Sequence, residues 1–111
     1  MISTHVLDTS SGCPAQGVAV TLEVLGATGS WLRVATYETD ADGRVRELGS
    51  ATELAGKTCR LRFETGAYFA ARGAPVFFPY VEVAFVIDPE RDRYHVPLLL
   101  SPFGYSTYRG S

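Results

Sequence analysis

Residues 18–25 of this 111-residue chain read VAVTLEVL and alternate between apolar and mostly polar or small side chains. Successive side chains of an extended strand point to opposite faces of a sheet. One face of this segment therefore carries only apolar side chains, those of Val18, Val20, Leu22 and Val24. The period of two predicts a β-strand with one face against a core.

The same alternation recurs along the chain, with turn sequences such as SGCPAQG (11–17) and DADGR (40–44) between the segments. The segments are ISTHVLD (2–8), WLRVATYET (31–39), RVREL (44–48), KTCRLRFE (57–64), YVEVAFVID (80–88) and RYHVPLLLS (93–101), and residues 105–111 could add a brief last strand. Short strands separated by turn residues are typical of a sandwich. We expect an all-β, two-sheet antiparallel sandwich of seven or eight strands.

One short helix is predicted over GSATELAGK (49–57). Ser50 and Glu53 have the spacing of a capping box, and Gly56 is placed to end the helix. The later stretch TGAYFAARGAPVFFP (65–79) is rich in Gly and Pro, and we interpret it as a crossover loop with about one helical turn. The helix would thus lie between the fourth and fifth strands.

Composition limits the classes of function. We expect residues 1–111 to form a single domain. The net charge of −2 and the absence of a basic cluster argue against nucleic acid as a partner, and no apolar stretch is long enough to span a bilayer. Without a secretory signal at the start, the location predicted is cytoplasmic. Cys13 and Cys59 are expected to be free thiols, with a disulfide or redox role as the alternative.

Few side chains are candidates for chemistry. His5 and His95 are the only histidines and can transfer protons near neutral pH, although a histidine in a strand is more often a half-buried surface residue. Arg44 follows the DADG turn, where a solvated arginine is the ordinary case and an anion or carbonyl anchor is the functional one. No spacing indicates a metal site.

The chain ends in an unusual group of residues, Tyr108, Arg109, Gly110 and Ser111. A ring hydroxyl, a fixed positive charge and a serine within four residues suit a binding site. Chain ends, however, usually fray unless they are held down. The residues alone leave a bound tail and a frayed tail equally open.

Four motifs together resemble one family. HVLDTSSGCPAQGV (5–18), TDADGRV (39–45), TGAYFAARGAPVFFPYVEVAF (65–85) and YHVPLLLSPFGYSTYRGS (94–111) are similar to the transthyretin-related 5-hydroxyisourate hydrolases, in a consistent order along nearly the whole chain. The final Tyr-Arg-Gly-Ser is the most specific of them, because it resembles the signature that separates the enzymes from the hormone-carrying transthyretins.

The resemblance implies a transthyretin-like sandwich that assembles as a homotetramer, a dimer of dimers, with active sites between dimers. It implies hydrolysis of 5-hydroxyisourate to 2-oxo-4-hydroxy-4-carboxy-5-ureidoimidazoline, in urate degradation, with no cofactor or metal. Carried over residue by residue, the catalytic groups are His5, Arg44 and His95. Substrate binding is expected to involve His5, Arg44 and residues 108–111. Arg93 stands where many relatives have a histidine, which we expect to change the pH response.

Two other classes of protein compete with the hydrolase. A transthyretin-like carrier would bind a small aromatic ligand without catalysis, and it has no need for both histidines, Arg44 and the Tyr-Arg-Gly-Ser end together. A structural sandwich domain would show linker-like ends, whereas here the strand pattern begins at Ile2. A sandwich fold by itself does not separate these functions.

Overall fold

A computed structural model describes all residues 1–111 and contains nine strands and one helix. In chain order they are β1 (Ile2–Asp8), β2 (Cys13–Pro14), β3 (Ala19–Leu25), β4 (Trp31–Glu38), β5 (Arg44–Gly49), β6 (Thr58–Phe63), α1 (Thr65–Ala71), β7 (Val81–Val86), β8 (Tyr94–Ser101) and β9 (Gly104–Thr107).

The strands form two sheets. The five-stranded sheet has the order β2-β1-β8-β9, with β5 also paired to β1, and the four-stranded sheet has the order β4-β3-β6-β7. All pairs are antiparallel except β1 with β8, which run in parallel through the middle of the five-stranded sheet. The prediction of a two-sheet sandwich is confirmed, with β2 as a two-residue addition.

The core lies between the sheets and follows the predicted alternation. In β1, Ile2, Thr4, Val6 and Asp8 are buried, and the residues between them are half-buried on the outer face. Val20 and Leu22 of β3 and Leu61 and Phe63 of β6 face them from the other sheet and are fully buried. The inner faces are therefore used for stability, which leaves outer faces for other groups.

The predicted position of the helix is wrong. Residues 51–56 form turns rather than a helix, although the backbone N–H of Glu53 does donate to Ser50 Oγ over 3.2 Å, as in a capping box. The N–H of Gly56 donates to the carbonyl of Ile87 (2.8 Å), so the chain leaves the turn to join β7 before a helix can extend. A cap stabilises the end of a helix, but tertiary packing of an apolar face decides whether a helix this short forms.

The helix lies instead within the stretch interpreted as a crossover loop. Thr65, Tyr68 and Phe69 are buried on one side of it, at the i, i+3, i+4 spacing of a helix face. The hydroxyl of Tyr68 donates to Asp8 Oδ2 over 2.9 Å and ties the helix to the end of β1. Burial and this hydrogen bond raise the pKa of Tyr68 to about 12, so its hydroxyl stays a donor.

The two cysteines lie in different environments. Cys13 is exposed and Cys59 is buried, and both thiols are free, as predicted. Burial raises the pKa of Cys59, which makes it a small core residue rather than a nucleophile.

The structure contains no helix that is long and apolar enough to cross a membrane.

Candidate active site

The predicted histidines and Arg44 lie on the outer face of the five-stranded sheet, on three neighbouring strands. His5 of β1 is directly opposite Arg44 of β5. Ser3, two residues before His5 on the same face, is the neighbour of His95 on β8. Adjacent strands are about 4.8 Å apart, so these side chains are near neighbours. Residues 90 positions apart in sequence meet here because β1 and β8 pair.

The turn before β5 determines where Arg44 begins the strand. Asp40 Oδ1 accepts hydrogen bonds from the backbone N–H groups of Asp42 (2.8 Å) and Arg44 (3.0 Å). Gly43 has a φ of 74°, a conformation that favours glycine, and its carbonyl accepts from the N–H of Val6 (2.7 Å). Asp40 therefore shapes the turn, and the turn delivers Arg44 opposite His5.

Ser3 contacts His95 and was not singled out from the sequence. Its Oγ lies 2.8 Å from His95 Nδ1 and 3.5 Å from the carbonyl oxygen of Tyr94. The imidazole is thus held through Nδ1, and Nε2 is the nitrogen left for other partners. The only sequence signal for Ser3 was its place on the face of His5, which names no partner.

The surroundings of His95 favour the neutral imidazole. Burial lowers its pKa below the ordinary value of 6.5, and the positive charge of Arg44 and the ring of His5 lower it further. Both causes disfavour the charged form, because an ion loses hydration when buried and repels a neighbouring cation. Near pH 7 His95 is therefore neutral and able to accept a proton.

Two adjoining cavities open on this face. The larger, about 490 Å³, is lined by Met1, Ser3, Arg44, Arg91, Arg93, Tyr94, His95, Gly110 and Ser111. The smaller, about 290 Å³, shares Met1, Ser3, Arg44 and His95 with it. His5 lies beside Arg44 but lines neither cavity. Ser3, Arg44 and His95 thus stand where the two cavities join.

The tail residues divide between two places. The N–H of Gly110 donates to the carbonyl of His95 over 2.7 Å, so the tail pairs with β8 and brings Ser111 to the larger cavity. Tyr108 and Arg109 instead line a separate cavity of about 260 Å³, with Phe85 and other residues of β7. The structure brings Gly110 and Ser111 to His95 and does not bring Tyr108 and Arg109 there.

Gly110 lies so close to His95 that a larger residue does not fit. A Cβ atom on Gly110 would be 2.7 Å from Cδ2 of the imidazole.

Potential metal ligands do not gather near this face or elsewhere, since no three His, Cys, Asp or Glu side chains are placed to hold an ion. The arrangement offers a neutral base, a guanidinium and backbone that fixes the base.

Comparison with known proteins identifies a family and its members. A model of the HIUase/Transthyretin family matches residues 2–110. The mouse protein named 5-hydroxyisourate hydrolase is 47% identical over 111 residues, which cover 99% of this chain and 94% of the mouse protein.

Solved structures from both branches share the fold. The structure of Klebsiella pneumoniae 5-hydroxyisourate hydrolase has a TM-score of 0.86 at 41% identity and covers 99% of this chain and 97% of that one. Sea bream transthyretin, solved in complex with thyroxine, has a TM-score of 0.92 at 35% identity and covers 98% and 93%. Backbone similarity alone therefore does not separate an enzyme from a carrier.

Proposed function

This chain belongs to the HIUase/transthyretin family, and we propose that it is a 5-hydroxyisourate hydrolase whose reaction takes place where the two cavities meet. The family resemblance expected from the sequence is confirmed, and relatives named as this enzyme match it over its whole length. The substrate is the cyclic amide 5-hydroxyisourate, and the reaction is hydrolytic opening of its ring.

One observation supports catalysis at this position above the others. His95 is half-buried, has a lowered pKa, and lines a cavity beside Arg44. A carrier gains nothing from an imidazole kept neutral next to a guanidinium. A hydrolase needs that pair, because water must lose a proton as it attacks and the carbonyl oxygen must be stabilised as it becomes negative.

We assign the general base to His95 rather than His5. If Nδ1–H of His95 donates to Ser3 Oγ, Ser3 can donate in turn towards the carbonyl of Tyr94, and Nε2 keeps a lone pair for the attacking water. Ser3 then acts as a positioning residue. As the water oxygen bonds to the amide carbon, its proton passes to Nε2.

The other groups complete the reaction. Arg44 is placed to hold the carbonyl oxygen while negative charge develops on it, since its planar fork presents several N–H donors. His5, directly opposite Arg44, is assigned to proton delivery to the ring nitrogen as the C–N bond breaks, through a water molecule because His5 lines neither cavity. The proton that His95 took from the attacking water returns to solvent, and solvent re-protonates His5. Gly110 fixes the ring of His95 by close backbone contact. Ser111 and the cavity wall bind the substrate ring.

A carrier is the second candidate, and the structural comparison is what favours it. The TM-score to sea bream transthyretin is 0.92, against 0.86 for the Klebsiella hydrolase. The identities run the other way, 35% against 41%, and side chains rather than backbone perform chemistry. The carrier therefore serves as the alternative outcome of the test.

Assembly and location are further parts of the proposal. We propose a homotetramer, a dimer of dimers. Its support is that β7 and β9 are edge strands and that Phe77 and Phe103 are 65% and 68% exposed. Sedimentation velocity measures the assembly.

A cytoplasmic location stays a prediction, to be checked by fractionation, and the two free thiols are compatible with a reducing compartment.

The test uses substrate made in place. Urate oxidase generates fresh 5-hydroxyisourate from urate, and ultraviolet absorbance follows its decay with and without the folded protein. A hydrolase accelerates the decay in proportion to its concentration, and it does so when substrate molecules greatly outnumber protein molecules. Ordinary decay, together with saturable binding of urate as a stable analogue, would instead identify a carrier.

A further inference from the structure

Two arginines of the larger cavity have no role in the mechanism above. Arg91 and Arg93 lie in the segment between β7 and β8 and line the same cavity as Arg44 and His95. No aspartate or glutamate lines that cavity. Three arginines therefore line one space of about 490 Å³ in a chain whose net charge is −2.

These guanidinium groups are unpaired. The ion pairs of the structure involve Arg46, Arg60 and Arg62, and none involves Arg44, Arg91 or Arg93. Asp88 and Asp92 are close in sequence, but Asp88 Oδ1 accepts from the backbone N–H of Glu90. Guanidinium groups without ion-pair partners around one cavity give it a positive field, which attracts an anion.

The proposed reaction, on which this inference rests, supplies such an ion. When water opens the ring amide, the carbonyl carbon gains the water oxygen, the ring nitrogen gains a proton, and the C–N bond breaks. The new carboxylic acid then loses its proton to solvent near pH 7, so each turnover creates one carboxylate inside the cavity. Planar carboxylates fit the fork of a guanidinium.

We propose that Arg91 and Arg93 form an anion-binding rim that receives the carboxylate of the ring-opened product. The term anion-binding rim refers to these two residues only. Arg44 holds the carbonyl oxygen during the attack, and that oxygen becomes one of the two carboxylate oxygens. The carboxylate then passes from Arg44 to the rim, which draws it away from His95. The ligand class is a ureido-substituted carboxylate rather than a neutral purine.

Binding of a stable carboxylate tests the rim without turnover. The probe is hydantoate, which carries a ureido group and a carboxylate, titrated by calorimetry at low salt into the full-length protein. The double variant Arg91→Gln/Arg93→Gln is expected to bind it roughly 10-fold more weakly than the wild type, since charge-assisted bonds are lost. The control Arg33→Gln removes an exposed charge from β4 and is expected to bind as the wild type does.

A second variant separates charge from shape. Arg91→Lys/Arg93→Lys keeps both charges and loses both forks, and we expect intermediate binding. Circular dichroism verifies that each variant is folded. Equal hydantoate affinity for the wild type and the glutamine double variant overturns the rim, and so does failure of the wild type to bind hydantoate.

Kinetics distinguish the rim from the hydrolase itself. If the wild type turns over 5-hydroxyisourate, hydantoate should inhibit it, and inhibition should be roughly 10-fold weaker in the glutamine double variant. Added salt should weaken the inhibition of the wild type more than that of the variant. If the wild type binds hydantoate but does not turn over 5-hydroxyisourate, the hydrolase is refuted and the rim stands. If it turns over the substrate and hydantoate inhibits the glutamine double variant equally well, the rim is refuted and the hydrolase stands.

Discussion

The outer faces of the two sheets both carry arginines, but the guanidinium groups differ in their partners. On the four-stranded sheet, Arg60 bonds Glu23 (2.8 Å) and Glu82 (3.3 Å), and Arg62 bonds Glu64 (2.7 Å) and Glu82 (3.5 Å). Each of these guanidinium groups also lies over an aromatic ring. On the five-stranded sheet, Arg44 has no carboxylate partner and faces a cavity beside His95.

This difference separates structural charge from functional charge. A guanidinium between two carboxylates and a ring has its donors occupied and holds strands together. One with free donors is available to a ligand. The repulsion it exerts on His95 contributes to keeping that imidazole neutral. Exposure does not make the distinction, because Arg44 and Arg60 are both half-buried.

The largest effect is expected from removing the base on the cavity side. His95→Asn keeps a polar side chain near Ser3 but cannot accept the water proton, so kcat should fall by about 10³-fold. Steady-state decay of 5-hydroxyisourate measures it. His5→Asn is the matched variant and should lose less. A larger loss from His5→Asn would transfer the role of base to His5.

Arg44→Lys tests whether an unpaired arginine matters more for activity than a paired one. The charge stays but the planar fork is lost, so kcat/KM should fall by about 10²-fold. Arg60→Lys on the opposite sheet should leave kcat/KM unchanged within about twofold, because Arg60 lines neither of the two cavities beside His95. Equal effects of the two substitutions would show that Arg44 is only a surface charge.

Gly110→Ala tests how the tail holds the base. The added Cβ would lie 2.7 Å from Cδ2 of His95, so the ring or the tail must shift. We expect about 10-fold lower kcat, since small misplacement of a catalytic group is costly. The melting temperature controls for folding. Full activity of a folded Gly110→Ala would mean that the ring does not need this position.

Arg60→Gln should change stability rather than rate. It leaves Glu23 without a partner and Glu82 with Arg62 alone, in a site where Arg60 is only 21% exposed, and we expect a loss of about 1–2 kcal/mol in the free energy of unfolding. Arg46→Gln is the control, because that pair is 3.7 Å long and 70% exposed at the arginine. Denaturant unfolding compares them, and equal losses would contradict the assigned structural role.

The sequence revealed the sandwich because period-two alternation is local. Val20, Leu22, Leu61 and Phe63 are buried as their alternation predicts. The sequence predicts the helix in the wrong place because Ser50 and Glu53 have a capping spacing, whereas the helix depends on the buried spacing of Thr65, Tyr68 and Phe69. A cap stabilises a helix end and does not create a helix when the chain must turn towards β7.

The candidate site was harder to predict, since it depends on contacts between distant strands. His5, Arg44 and His95 are candidates by residue type, and their catalytic roles come from the family resemblance. Their shared face follows from the registers of β1 with β5 and β8. Ser3 and the anion-binding rim were missed, because alternation tells which face a residue occupies and not which strand lies next to it. The tail was treated as one unit, yet Gly110 and Tyr108 line different cavities.

The most direct test of the whole account is the pH dependence of kcat/KM for fresh 5-hydroxyisourate. Because the pKa of His95 lies below its ordinary 6.5, the neutral base persists as pH falls, and it is lost only at the lowered pKa. We predict accelerated decay whose acid limb has its midpoint below pH 6.5 in the wild type. No acceleration by the folded protein, or an acid limb centred above pH 6.5, would contradict the assignment of His95 as a neutral base in this cavity.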